Sequence, residues 1–532
     1  MSHWIIAPII LPALLAPLIA YVMRYDIVLA RAASFAGALA LVAIAVGLAV
    51  LSADGAVHVY DLGNWPAPFG IVLVLDRLSA VLVLLTAVLA LIVLTHAAAT
   101  GWDTRGRHFH ALFQFQIMGI CGAFLTGDAF NLFVFFEILL IASYGLMIHG
   151  GGKVRLQAGL QYVVMNLAGS TLFLIALGTL YAATGTLNLA DLAVKVREIP
   201  IEEAALIRVA AMLLMVVFAI KAALFPIQFW LPATYANAPA PVAALFAIMT
   251  KVGAYAIIRI HSMIFGPEIA ATDGLTGTWL FPAAAVTLAI GAFGVLGARR
   301  LMPLLAFSVV ASMGTMMLAV AAFTPWATTA ALYYLIHSTF AAAALFLLAD
   351  LVVSRRPEGD RLDPAPATVQ NGLFAALFFA GAVAMAGMPP LSGFLGKLMI
   401  LDALRDPQFM ALGWTAVLAG SLLVIVGLAR AGSVLFWRST AVAAHVPAAD
   451  DAEPRPEARP ASPLEVAPTV AAIGMTALLA AFAGPLTDFL DAGSRQVFHA
   501  EDYIAAVLGP QEVPEVPQPE PDAAEDPVQE EG

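Results

Sequence analysis

Residues 212–231 read MLLMVVFAIKAALFPIQFWL, a run of 20 residues in which Lys221 is the only charge and Pro226 follows soon after it. A helix needs about 20 apolar residues to cross a bilayer. A lysine at the bilayer centre costs roughly 2.5–3.5 kcal/mol, which implies a functional reason for keeping it. The proline removes a helical hydrogen bond and clashes with the preceding turn. The stretch therefore predicts a membrane helix that is broken beside a buried amine.

The same pattern recurs elsewhere, because three of the five lysines and one carboxylate lie inside long apolar stretches. Three such lysines together cost roughly 8–10 kcal/mol of insertion free energy. Desolvation destabilises an ammonium ion, so buried lysines can exchange protons. These charges predict a proton path. The further stretches are PVAALFAIMTKVGAYAIIRI (241–260, with Lys251), AMAGMPPLSGFLGKLMILDAL (384–404, with Lys397) and FNLFVFFEILLIASYGL (130–146, with Glu137).

The composition excludes a soluble protein. The chain has 532 residues, of which 61% are hydrophobic and 11% charged, with a mean hydropathy of +0.91, whereas soluble domains contain about 25% charged residues. No P-loop, no GxGxxG after a strand and no cysteine cluster is present, and Cys121 is the single cysteine. We therefore expect a polytopic membrane protein with no soluble catalytic domain, which is not an enzyme and needs no cofactor or metal.

Hydropathy predicts an all-α polytopic membrane protein with about 14 transmembrane helices, numbered here as segments 1 to 14. Proline and glycine interrupt segments 7 and 12, and such paired breaks are typical of transporters with repeated halves. Lys221 and Lys397 are 176 residues apart, or about five helices. We predict two inverted five-helix repeats, segments 4–8 and 9–13. The segments cover residues 3–23, 28–52, 71–97, 109–126, 128–149, 157–183, 206–230, 240–264, 276–297, 301–323, 326–353, 371–404, 411–437 and 466–490.

These segments divide the chain into five parts. The region from 511 to 532 holds eight acidic residues, no basic ones and many prolines, so it should be disordered. The parts are N-terminal helices (1–107), a first five-helix repeat (108–264), a second repeat (276–437), a cytoplasmic linker with the last helix (438–490) and an acidic, Pro-rich periplasmic tail (491–532).

Basic residues predict the orientation, because loops rich in lysine and arginine stay in the cytoplasm. Loops after odd-numbered segments carry most of them, so both termini should face the periplasm. Loop 7, PATYANAPAP, has no basic residue and departs from the trend. The loops after odd-numbered segments hold Arg24, Arg31, Arg105, Arg107, Lys153, Arg155, Arg299, Arg300, Arg355, Arg356, Arg361, Arg438, Arg455 and Arg459; those after even-numbered segments hold Lys195, Arg197, Arg259 and Arg405.

Each candidate path residue has a structural alternative. Glu137 could be a structural carboxylate satisfied by Tyr144 or paired with a lysine, whereas we predict that Glu137 and Lys221 form a switchable ion pair that gates proton passage. Lys221 could instead extend its amine to an interface, and His337 could be a hydrogen-bonded core residue rather than a relay. Intramembrane carboxylates usually mark ion pathways, which favours the functional interpretation. Polar neighbours that could bind water or the lysines are Gln114, Gln116, Gln161, Asn166, Ser308, Ser312 and Thr315.

Several motifs together resemble the antiporter-like subunits of respiratory complex I and of Mrp-type multisubunit cation/proton antiporters. They are TGDAFNLFVFFEILLIASYGL (126–146), FAIKAALFPIQFWLPATYANAPAPVAALFAIMTKVGAYAIIRI (218–260) and GMPPLSGFLGKLMIL (387–401). The opening HWIIAPIILPALLAPLIA and the loop YDLGNWPAPFGIVLVLDRLSA are most similar to the D-type subunits of Mrp antiporters.

The resemblance implies a role and a set of path residues. The implied role is a proton-translocating subunit of a monovalent cation (Na⁺)/proton antiporter in the bacterial cell membrane, assembled with other Mrp subunits. By resemblance, the proton-path positions are Glu137, Lys221, Lys251, His337 and Lys397. Two alternatives stay open. One is a proton-pumping subunit of complex I or of a membrane-bound hydrogenase, and the other is a membrane scaffold whose lysines only pair with partner subunits.

Overall fold

The computed structural model describes residues 2–272, 274–442 and 459–509, and most of these residues are helical. Within this part of the chain, ten helices are long and apolar enough to cross a membrane. Three shorter apolar helices, Ala7–Tyr21, Phe109–Leu125 and Asn371–Ala386, lie at segments 1, 4 and 12. With the broken segment 7, helices lie at every one of the 14 predicted positions. The prediction of an all-α polytopic membrane fold is therefore confirmed.

The first half of the chain combines its helices with one small β-hairpin. The hairpin joins β1 (His58–Asp61) to β2 (Val72–Leu75) with His58 opposite Leu75. Segment 3 therefore begins later than predicted, because Asp76 ends the strand and caps the next helix. The helices are α1 (Ala7–Tyr21), α2 (Ile27–Leu51), α3 (Arg77–Thr100), α4 (Phe109–Leu125), α5 (Ala129–Met147), α6 (Lys153–Thr184), α7 (Leu189–Glu198), α8 (Ala205–Lys221), α9 (Trp230–Asn237), α10 (Ala240–Phe246) and α11 (Met249–Ala256).

The second half contains the long central helix of the bundle, α14 (Pro325–Val353). In the spanning window of α14, 89% of the residues are buried inside the protein, which places this helix at the centre of the bundle. The helices are α12 (Leu275–Gly297), α13 (Leu301–Val320), α14 (Pro325–Val353), α15 (Asn371–Ala386), α16 (Ser392–Ala403), α17 (Pro407–Gly432), α18 (Pro463–Ala481), α19 (Ala483–Phe498) and α20 (Glu501–Leu508).

Segments 7 and 12 are interrupted, as predicted. The backbone N–H and C=O groups that the breaks leave without helical hydrogen bonds bind side chains instead. In segment 7, the indole of Trp230 donates to the carbonyl of Ile220 at 3.0 Å, and the N–H of Phe225 donates to Thr287 Oγ1 at 2.8 Å. In segment 12, Lys397 Nζ donates to the carbonyl of Ala386 at 2.8 Å. Such partners are needed because lipid offers none. The long helices α6 and α14 pack against α8 and α16 in the two halves.

The predicted tail (491–532) is wrong for residues 491–508, which are mostly helical. Helix α19 continues to Phe498 and α20 follows it. Tyr503 and Ile504 of α20 are 2% and 1% exposed, so this stretch buries an apolar face against the protein. The acidic residues predicted to be disordered, 511–532, lie outside the described residues, as does most of the predicted linker.

Loops of the same parity gather on the same face. Helix α20 contacts α7 and β1, which brings the loops after segments 2 and 6 together with the chain after segment 14. On the opposite face, ion pairs join Arg300 to Asp360 and Arg355 to Glu465, linking the loops after segments 9, 11 and 13. We call these the even-loop face and the odd-loop face.

Candidate functional site

Glu137 lies on α5, where it is only partly buried. Its carboxylate accepts a hydrogen bond from the hydroxyl of Ser170 on α6. Tyr144, the structural partner considered from the sequence, instead packs its ring against Tyr162. The carboxylate of Glu137 thus faces α6.

Lys221 is the last residue of α8 and is 5% exposed. Its Nζ donates to Asn166 Oδ1 at 3.3 Å, also on α6. A Cβ built at Gly169 would lie 3.8 Å from the same Nζ, so the amine rests against the α6 backbone. The helix break places the amine at the end of α8, where cations are favoured by the helix dipole.

The structure does not contain the direct Glu137–Lys221 ion pair expected from the sequence. Among the described residues, no contact within 4 Å joins the two charges as a salt bridge. The physical reason is that α6 supplies a neutral partner to each charge, Ser170 to the carboxylate and Asn166 to the amine, one helical turn apart. The two groups therefore share one face of α6 without touching.

Lys251 lies on α11 and is fully buried. Its Nζ is 3.4 Å from Thr250 Oγ1, a long contact to its own neighbour in sequence. Helix α11 approaches the end of α8 very closely, because a Cβ at Gly253 would lie 2.7 Å from Ala222 N and 3.1 Å from the Cβ of Lys221. Glycine at this position brings the two lysine-bearing helices together.

His337 and Lys397 form the corresponding site in the second half. His337, 1% exposed on α14, has Nδ1 2.8 Å from Ser392 Oγ at the start of α16. A Cβ at Gly393 would lie 2.7 Å from His337 Nε2, so glycine is needed for this approach. Lys397, on the same short helix, donates to Ser421 Oγ at 2.7 Å as well as to the α15 end.

The structure reveals a buried ion pair that the sequence analysis missed. The distribution of basic residues places Arg259 with the even loops, yet Arg259 is only 2% exposed and its partner Asp76 is 1% exposed. Two hydrogen bonds join them, at 2.5 and 2.8 Å, and the ring of Tyr503 lies over the guanidinium. Removing one partner of such a pair typically costs about 3–5 kcal/mol. The available signal was that Arg259 lies inside the apolar run 241–260.

A second polar cluster lies at the odd-loop end of α3. Asp103 contacts Arg31 at 2.6 Å and His110 at 3.2 Å. Burial alone would raise the pKa of Asp103, but its bonds to Arg31 and His110 outweigh burial and lower the pKa to about 2. The bonds of Asp103 therefore stabilise the fold at neutral pH. This stabilisation is lost as the pH falls from the ordinary range of an aspartate pKa towards about 2.

The other polar residues noted in the sequence have mixed roles. Ser308 and Thr315 donate to carbonyls of their own helix. Of the polar neighbours considered, Asn166 is the one that contacts a path lysine among the described residues.

A family described as "NADH:quinone oxidoreductase/Mrp antiporter, TM" matches residues 126–426, which is more than half of the chain. The chain belongs to this family. The matched region contains all five of the candidate charged positions. Two lie on α5 and α8, one on α11, and two on α14 and α16.

Two bacterial members of the family are similar over almost their whole length. One, a probable K⁺/H⁺ antiporter component of the D type from Rhizobium meliloti (strain 1021), is 38% identical over 95% of this chain and 98% of its own. The other, the D-type component of a Na⁺/H⁺ antiporter from Bacillus subtilis (strain 168), is 35% identical over 96% of this chain and 100% of its own.

Solved structures show the same fold. A chain of the "Mrp complex from Dietzia sp. DQ12-45-1b" matches with a TM-score of 0.84 at 30% identity, over 96% of this chain and 100% of that one. A chain of respiratory complex I from Thermus thermophilus matches with a TM-score of 0.75 at 24% identity, over 95% and 100%. The latter likeness concerns the fold alone.

Proposed function

We propose that this chain is the proton-translocating subunit of a multisubunit monovalent cation/proton antiporter in the bacterial cell membrane. The observation that carries the proposal is that the apolar bundle encloses three lysines, each at most 8% exposed, beside two helix breaks. The names of the D-type relatives, which specify Na⁺ or K⁺ exchange with H⁺, support the same role.

The arrangement can move a proton in steps from Glu137 towards Lys397. Burial destabilises an ammonium ion, whereas hydrogen-bond acceptors and a nearby carboxylate stabilise it. While its amine lies against Asn166, close to the carboxylate on the same α6 face, Lys221 holds a proton. If the amine turns towards Lys251 it loses these partners, and the proton passes onwards. The hydroxyl of Ser392 orients His337 for the next step.

A redox-driven proton pump is the alternative, since complex I chains share the fold. The greater identity with the Mrp structure and the end-to-end similarity to the D-type relatives favour the antiporter. The charged positions are compatible with both. The scaffold alternative predicts that changes at these charges impair assembly without changing flux in the complexes that do assemble.

The proposal is tested by cation-driven proton flux in vesicles that contain the whole complex, with and without a functional copy of this chain. We expect flux only when the chain is present. The purified chain alone should show none, because sodium prefers hard oxygen ligands, and the α6 face that holds the Lys221 amine carries Glu137 as its carboxylate among the described residues. Robust exchange by the isolated chain would refute the dependence on partner subunits.

We also propose that the odd-loop face is cytoplasmic and that both termini are periplasmic. The basic residues favour this orientation, and the contacts of α20 with α7 and β1 support a common side for the even loops and the C-terminal region. A reporter fused after Gly532 should be active only if it works in the periplasm. Activity of a cytoplasm-only reporter at that position would show the opposite orientation.

A further inference from the structure

A cavity of about 460 Å³ opens on the odd-loop face. It lies where the start of α6, the junction between α9 and α10, and the end of α14 meet. Arg155, Arg300 and Asp350 contribute polar groups to its wall, and Ala240 begins the helix run that leads to Lys251. The cavity thus touches both the helix run that carries Lys251 and the helix that carries His337.

Asp350 and His96 form a contact between this cavity and the protein interior. The carboxylate of Asp350, 12% exposed, accepts the indole N–H of Trp102 at 2.9 Å and lies 3.0 Å from His96 Nε2. The His96 side chain is fully buried on α3. Its Nδ1 has no hydrogen-bond partner among the described residues. One end of the pair therefore meets the cavity, and the other ends in the interior.

We propose that Asp350 and His96 form a proton-loading site that exchanges protons between water in this cavity and the buried row of lysines. This inference rests on the proposed function. A hydronium ion in the cavity gives one proton to the pair and leaves as water. The pair holds the proton as a carboxylate with an imidazolium, and His96 returns to the neutral form when Nδ1 releases a proton to an interior water molecule.

The onward connection is long and needs water. Asp350 follows His337 by 13 positions on α14, or about 20 Å along a helix. Ser338 and Thr339 carry hydroxyls next to His337, but residues 340–349 are apolar and include four consecutive alanines, 341–344. Because no side chain in 340–349 can carry a proton, a transient file of water molecules must complete the connection.

Substitutions can distinguish a proton-loading role of Asp350 from a purely structural one. Asparagine at position 350 keeps an oxygen that can accept the Trp102 bond, so it would preserve a structural tie and remove only the charge. Asp402 offers a matched control, because its carboxylate accepts the indole N–H of Trp326 at 2.9 Å. Its ionic partner is Arg405 rather than a histidine.

The test is proton flux per assembled complex for Asp350→Asn, Asp350→Glu, His96→Gln and Asp402→Asn. We expect Asp350→Asn and His96→Gln to lower the flux at least about tenfold, as loss of a proton-transfer group does. Asp350→Glu should stay within about threefold, and Asp402→Asn should match the unmutated complex. If Asp350→Asn does not assemble, His96→Gln decides the question. Unmutated flux in Asp350→Asn or His96→Gln overturns the proposal.

A labelling experiment adds a readout that is independent of flux. In a Cys121→Ala background, Asp350→Cys should react with a membrane-impermeant thiol reagent from the odd-loop face alone; labelling only from the other face contradicts the site. Failure of the broader proposal is recognisable, since Lys397→Ala would then exchange normally. If Lys397→Ala is inactive while Asp350→Asn is normal, only the loading site is wrong.

Discussion

Replacing Lys221 with alanine should reduce cation-driven proton flux per assembled complex by at least about a hundredfold. The substitution removes the amine that rests against Asn166, on the same α6 face that binds Glu137. Some loss of assembly should accompany it, because a buried carboxylate is costly without a balancing charge. Flux would be measured in vesicles and normalised to complex content.

Lys195→Ala is the matched control for this substitution. Lys195 pairs with Asp191 at 3.0 Å, and its side chain is 38% exposed, outside the row of buried charges. Its loss should leave flux unchanged. A Lys221→Ala complex that exchanges as fast as the Lys195→Ala complex would remove Lys221 from the path.

Changes at Glu137 extend the same prediction. Glu137→Ala should abolish flux with some loss of assembly, because it removes the group that Ser170 holds next to the amine. Glu137→Asp keeps the charge but shortens its reach, so it should assemble and retain partial activity. Flux at the unmutated rate in the alanine variant would show that the charge at this position does not matter.

Replacing Lys397 with alanine should stop exchange while the complex assembles normally. Within the part of the chain that the structure describes, the amine of Lys397 binds two neutral oxygens, on Ala386 and Ser421, and no carboxylate. Its removal therefore strands no opposite charge, and the assembly penalty of a broken ion pair does not arise. We expect a loss of flux of at least about a hundredfold. Normal exchange in a fully assembled Lys397→Ala complex would place the end of the path elsewhere.

The charged positions could be predicted from the sequence because a charge inside an apolar run is visible without any tertiary information. The breaks beside Lys221 and Lys397 were predictable as well, since proline and glycine interrupt the same runs. The neutral partners were not. Ser170 was not singled out, and Asn166 resembled many polar residues that simply pack membrane helices.

The missed ion pair has a different origin. Asp76 and Arg259 are 183 positions apart, and each lies near the boundary of a predicted segment. Residues at such boundaries usually reach an interface, so the position of Arg259 inside the apolar run 241–260 was a weak signal, and the packing of the structure identifies Asp76 as its partner. The helical stretch 491–508 was missed for a similar reason. Tyr503 of α20 is buried against other elements, and the sequence of this short helix does not indicate that burial.

The central claim is that protons cross this chain along its buried charges. The most direct test measures cation-driven proton flux per assembled complex at several pH values, with Glu137→Ala and Lys397→Ala compared side by side. We predict that both complexes form and that neither exchanges at any pH. If both assemble and exchange at the unmutated rate, the proposed path is wrong.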